Sequence, residues 1–279
     1  MTSTRADAPG VPGPALRRGS SWLRIRAVAR RHLYVLPRSP HRLFDLTIWP
    51  LVDVLLFGSL AVFVSREGEG LAAGYLLSGI VLWHVVYQSQ IAVSAGMLEE
   101  TWSRNIVNLL VTPLREGEYV LGVALFGLAK ITLGVAVVAL TALVFYAFDI
   151  SSLGWGLIPI VAILLTVGWA ISLFVIALIL RFGSGAEALV WGVMFAVMPL
   201  SGVFYPVSAL PALLQPIALA LPPTHAFAAA RSLVAGHGLP WDEVALGALT
   251  SLGVTAIALL FLLRMLRLFR RRGYISRYT

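Results

Sequence analysis

Asp53 and Lys130 are the ionisable residues that ask most urgently for a chemical account, because each stands well inside a long apolar run. A carboxylate at the centre of a bilayer costs about 2.5–3.5 kcal/mol on insertion scales, so Asp53 should face protein or water. Two readings stay open. In one, Asp53 and Lys130 form an intramembrane pair or share a polar cavity. In the other, both lie nearer the surface and Lys130 snorkels to an interface on its long stem. Two charges are too few for a proton relay. A second apolar run carries Trp83, His84, Tyr87, Gln88 and Gln90, which can hydrogen-bond between helices or line a cavity. A lone histidine without acidic or thiol neighbours suits a helix–helix contact better than a metal site.

Other chemistries are missing. The chain has no cysteine, which excludes disulfides, thiol nucleophiles and Cys metal sites. Its only lysine follows no glycine-rich phosphate loop, so ATP hydrolysis by that device is excluded. No H-E-x-x-H motif is present, and no serine has a nucleophile elbow. The adjacent acid pairs Glu99-Glu100 and Asp242-Glu243 read most simply as helix caps at the ends of spans.

The elements that hold these residues follow from hydropathy. Of 279 residues, 59% are hydrophobic and 12% charged, and the mean hydropathy is +0.88. No water-soluble domain of this length needs so little charge. Division at the charges gives six spans: Leu43–Val64, Ala72–Met97, Tyr119–Phe148, Gly156–Leu180, Ala186–Tyr205 and Val244–Leu263. Nine basic residues precede the first span and six follow the last. Arg104 and Arg115 fall in the 99–118 loop and Arg181 in the next loop on that side. By the positive-inside rule both termini are cytoplasmic, which requires an even number of spans. The net charge of +8 thus reflects orientation and anionic lipid, not nucleic acid.

From Ala188 to Ala230 there is no Asp, Glu, Lys or Arg, yet six prolines interrupt the stretch. It is too long for one span, and prolines break a continuous helix. The expected form is a span ending near Tyr205, then re-entrant helices over about 206–223. Irregular backbone at membrane depth persists only where protein or a water-lined cavity satisfies it.

Two further helices are expected on the basic side. Met1–Gly19 reads as a disordered tail. Residues 20–37 form an amphipathic interface helix that Pro37 ends, followed by the six-span membrane region 38–279. On its wheel Trp22, Ile25, Ala29, Leu33 and Leu36 share a lipid-facing stripe, with Arg24 and Arg31 opposite. Residues 98–110 form a second short helix. There Leu98, Trp102, Ile106 and Leu109 make one face and Glu100, Arg104 and Asn108 the other, with Pro113 closing the segment. Such a helix rests on lipid with one side and docks a partner with the other; a solvated loop helix is the plainer account.

At Trp102-Ser-Arg-Asn105 … Asn108-Leu-Leu-Val-Thr-Pro113, and again at Leu200–Pro211 and Leu221-Pro-Pro-Thr-His225, the chain resembles the permease subunits of type-2 ABC exporters. That family includes exporters of the daunorubicin-resistance, nodulation-factor and polysaccharide types. The resemblance covers the chain from about Trp22 onward. It implies an all-α integral membrane fold of six transmembrane helices, multi-pass in a bacterial plasma membrane. The 98–110 helix becomes the coupling helix, with Glu99, Glu100, Trp102, Arg104, Asn105 and Asn108 as contacts for an ATPase subunit. The implied partners are two copies of that subunit, a second permease copy (a homodimer) and membrane lipid. No cofactor is bound by this chain; ATP and magnesium belong to the ATPase. The family shares no substrate motif. Asp53, Lys130, Trp83, Tyr87, Gln88 and Tyr205 are the candidate pathway residues. The expected cargo is an amphipathic small molecule, drug or lipid-like compound, and a lipid-linked glycan is the alternative. A secondary transporter would need internal repeats and more intramembrane charge. A membrane enzyme would need the acidic clusters and nucleophiles that are missing.

Overall fold

The computed structural model describes residues 20–35, 43–68, 70–102, 116–182 and 187–272. All regular structure among them is helical. In chain order the helices are α1 (Ser21–Val35), α2 (Trp49–Arg66), α3 (Gly70–Trp102), α4 (Glu116–Tyr146), α5 (Leu157–Phe182), α6 (Glu187–Leu200), α7 (Gln215–Ala220), α8 (Pro222–Val234) and α9 (Trp241–Arg272). A π-helical turn, Phe44–Ile48, leads into α2, and a 3-10 turn, Ile150–Gly156, leads into α5.

Five segments are long and apolar enough to cross a membrane: Leu46–Arg66, Gly70–Ser94, Leu125–Tyr146, Ile150–Ile179 and Trp241–Leu268. They coincide with five of the six expected spans. The expected Ala186–Tyr205 span is shorter than its composition suggests. Helix α6 stops at Leu200, and 14 residues rise only about 21 Å. Pro199 lacks the N–H that would continue the ladder. Gly202 then turns the chain at φ +60°, a conformation that favours glycine, and the Tyr205 hydroxyl donates back to the Pro199 carbonyl at 2.7 Å.

The bundle is built around α3. Every residue from Leu76 to Ala92 is buried, with α2, α4, α5 and α8 packed around it. Outer helices instead present leucines outward, such as Leu249, Leu252 and Leu260 on α9 and Leu56 on α2. In lipid, apolar side chains gain little from leaving the solvent, so helices associate through small residues and close contacts. Gly168 of α5 lies against α3: an added Cβ would stand 1.8 Å from Ser89 Oγ and 2.7 Å from the Val86 carbonyl oxygen. One turn on, the Ser172 hydroxyl donates to the Gln90 carbonyl of α3 at 2.9 Å. On the opposite flank the Tyr146 ring fills the place of a side chain at Gly58, and its hydroxyl donates to the Leu55 carbonyl at 2.8 Å.

The end of the bundle remote from the arginine-rich terminus is closed by irregular chain. The Val203 carbonyl presses on Gly79, where a Cβ would approach it to 2.3 Å. Helix α8 opens with Pro222-Pro223, which have no N–H to leave orphaned. The flanking N–H groups are used: Leu221 donates to the Ala218 carbonyl at 3.0 Å and Thr224 to the Leu221 carbonyl at 3.1 Å.

Candidate functional site: an intramembrane polar cluster and two pinned ends

At the arginine-rich end, α1 packs along the start of α4. The Arg24 guanidinium grips Glu118 with both arms, Nε–Oε2 at 2.7 Å and Nη2–Oε1 at 2.6 Å. Such fork-to-fork pairing fixes orientation as well as energy, and it holds the guanidinium above its usual range, chiefly through the hydrogen bond itself. Gly122 lets the backbones close in: a Cβ there would meet Val28 Cβ at 2.6 Å and the Ile25 carbonyl oxygen at 2.9 Å. The stripe expected to lie in lipid is therefore divided. Ile25, Val28 and Ala29 turn to α4, with Ala29 buried, while Trp22 and Leu33 remain exposed beside Leu23 and Tyr34. Arg24, expected on headgroups, faces protein, whereas Arg31 is exposed.

The segment expected to couple to a partner is described only at its start. Helix α3 runs unbroken through Leu98 to Trp102, so these five residues extend the span helix. The side chains of Glu99, Glu100 and Trp102 lie outside the described residues, as do Arg104, Asn105 and Asn108 altogether. Where description resumes, Glu116 opens α4 two residues before Glu118. The α1 clasp thus fastens to the chain just beyond the 103–115 segment.

Inside the bundle, Asp53 meets His84, with its carboxylate Oδ2 at 3.4 Å from Nε2. Among the described residues this imidazole stands nearest its carboxylate, while Lys130 is buried in α4. His84 is 1% exposed, and neither ring nitrogen has a hydrogen-bonding partner among the described residues. One turn further along α3, Gln88 spreads over Gly134 of α4, and its Nε2 is likewise buried without a partner. Aromatic rings surround the pair. Tyr87 stands edge-on to His84 with centroids 5.6 Å apart, and Trp191 of α6 lies 6.1 Å beyond it. Phe57, one turn from Asp53, stacks on Phe204 at 4.1 Å. Trp83 packs towards Phe227 of α8 at 6.5 Å. Of the candidate pathway residues, Asp53, Tyr87, Gln88 and Trp83 are thus gathered around one stretch of α3. Tyr205 instead closes the turn after α6.

The other end is tied by polar contacts that charge patterning does not reveal. His225 sits between Glu243 Oε2, 2.7 Å from Nδ1, and the Leu219 carbonyl, 3.0 Å from Nε2. Thr224 donates to the Ala218 carbonyl at 2.6 Å, and Arg231 donates to the Gly202 carbonyl. Glu243, expected as a simple cap of the last span, is therefore also a cross-link to α8. The one hint of this in the sequence is the position of Thr224-His225 directly after paired prolines. No group of three or more metal-ligating side chains occurs among the described residues.

A central helix wrapped by apolar spans, with an amphipathic helix along one end and short proline-started helices over the other, is the build of a multi-pass membrane permease. The chain belongs to the ABC-2 type transporter family, whose membrane-domain model matches residues 24–234. It is thus an ABC transporter permease, and members of that family work with a separate ATP-binding subunit. A search of curated proteins found no match.

Proposed function

We propose that this chain is the membrane subunit of an ATP-driven exporter, with six spans, both termini cytoplasmic and a second copy completing the pathway. It sits in a bacterial plasma membrane. The observation that carries the reading is the clasp of α1 to α4 at Arg24–Glu118, immediately beyond the 103–115 segment. A partner that pushes on that segment would move the start of α4 and α1 together. Residues Glu99, Glu100, Trp102, Arg104, Asn105 and Asn108 are the proposed contacts of the ATPase. The sixth crossing is made by α6 together with the irregular chain after Leu200 and the re-entrant helices α7 and α8.

An amphipathic or lipid-like cargo is favoured over a glycan. A cavity of about 190 Å3 between α5, α6 and α9 is lined wholly by apolar residues, including Ile171, Phe174, Val197 and Pro222. A sugar chain would find no hydrogen-bonding group on those walls.

The purified chain should hydrolyse no ATP until its ATPase subunit is added. Glu100→Arg or Trp102→Ala should then uncouple ATP hydrolysis from transport while leaving membrane insertion intact. Transport by the chain alone in liposomes would overturn the proposal.

A further inference from the structure

The cap at the end remote from the arginine-rich terminus holds one imidazole between two oxygens. His225 Nδ1 stands 2.7 Å from Glu243 Oε2, and its Nε2 stands 3.0 Å from the Leu219 carbonyl oxygen. A carbonyl offers only lone pairs, and so does an ionised carboxylate. A neutral imidazole has one N–H and one bare nitrogen, so it serves one of these oxygens and opposes the other. Both contacts become hydrogen bonds only when a second proton is present, either on the ring or on Glu243 and donated to Nδ1. Where that proton sits on the Nδ1–Oε2 line does not change the count.

The neighbouring groups leave this exchange to the pair. Gly247 of α9 closes on the ring's stem, where an added Cβ would stand 3.2 Å from His225 Cβ. Of the elements packed against α8, α9 brings Glu243 and the exposed Asp242, and α3 brings Tyr75 at this end. The 3-10 turn before α5 is headed by Asp149, whose carboxylate is taken up by Ser151. Helix α7 has no ionisable side chain, and α5 has only Arg181, in its last turn. On α8 itself, Arg231 lies in the field of Tyr75 and Glu243 and donates to the Gly202 carbonyl. His237, in the turn beyond α8, is exposed.

We infer that His225 and Glu243 form a proton-held latch that ties α7, through α8, to α9. With the proton in place both contacts are made; once it leaves, one of them sets acceptor against acceptor. Histidine is the side chain that ordinarily changes charge between about pH 5 and 8. The closed latch binds the proton in preference, so its contribution to stability is fully present at the acid end and is lost as the pH rises. On the proposed topology this end faces outward and external acidity sets the latch, but the proton count does not depend on that topology.

The test uses the full chain in nanodiscs, with thermal midpoints measured from about pH 5.5 to about pH 8.5 for the unaltered protein, His225→Phe and Glu243→Gln. Over that range the unaltered midpoint should fall by about 2–4 °C more than the His225→Phe midpoint, the shift expected when one hydrogen bond is lost in a chain of this size. Glu243→Gln separates a latch from a contact that only packs. Its amide N–H donates to a bare Nδ1 while the Nε2 N–H keeps Leu219, so both contacts survive in base and the profile should flatten. Parallel profiles for the unaltered chain and Glu243→Gln would overturn the inference even if His225→Phe does not fold. So would parallel profiles for the unaltered chain and His225→Phe.

Discussion

The end cap around α8 and the middle of α3 solve the same problem in opposite ways. Both bury polar side chains among apolar helices. In the cap, the polar groups are consumed: His225 bridges Glu243 and the Leu219 carbonyl, Thr224 reaches Ala218, and Arg231 reaches Gly202. In the middle of α3, His84 and the Gln88 amide nitrogen are left without hydrogen bonds among the described residues while Asp53 stands near. A buried polar network that is satisfied rigidifies its surroundings, and a buried group that is not carries its full desolvation cost. The contrast separates a region whose polar groups are tied from one whose polar groups are not.

The sharpest way to break the comparison is to disturb the packing that keeps α3 central. Gly168→Leu places bulk where even a Cβ meets Ser89 and the Val86 carbonyl. A cost of about 3 kcal/mol or more is expected, the upper end for overpacked sites, read as loss of monodisperse protein in detergent. Gly253→Leu, on an α9 face with nothing within 4 Å, should be silent. Equal behaviour of the two would remove α3–α5 contact as an organising feature.

Next comes the cap. His225→Phe leaves Glu243 and the Leu219 carbonyl without the imidazole they share, at about 1–3 kcal/mol for groups that lose a hydrogen-bonding partner. A fall in thermal midpoint with membrane insertion intact is the expected signature of a structural cap. A smaller effect is expected at the arginine-rich end, where Arg24 is 27% exposed. Arg24→Ala should lower the thermal midpoint only slightly, because exposed ion pairs contribute little to stability. Its clearer signature is motion. Because the chain has no cysteine, a spin label on a single cysteine introduced at Trp22 reports α1 directly, and its mobility should rise in Arg24→Ala. The least change is expected from Ser172→Ala, which removes one interhelical bond to Gln90 worth about 0.6 kcal/mol within membranes.

Much of the architecture is legible in hydropathy and charge, because these report on the solvent and not on neighbours. The five long spans fall where the apolar runs lie, and a helix runs over Ser21–Val35, inside the expected 20–37 interval. What depends on register stays hidden. Asp53 stands out as an acid within an apolar run, yet its neighbour His84 lies on the next helix, at a height set by how α2 and α3 slide past each other. Packing of α1 against Gly122 is equally invisible, since a wheel shows which residues share a face but not whether lipid or α4 covers it. The early end of α6 is signposted by Pro199, but the choice of Leu200 over Tyr205 depends on the Gly202 turn and the Arg231 tether. The His225–Glu243 link joins residues that each have a sufficient local explanation.

The paired prolines that open α8 carry a last consequence. Most helix starts display free amide hydrogens and so attract phosphate or sulfate groups. Here two of those hydrogens are absent and the two beside them are already engaged. This helix start therefore offers fewer free N–H donors to an anion than most do.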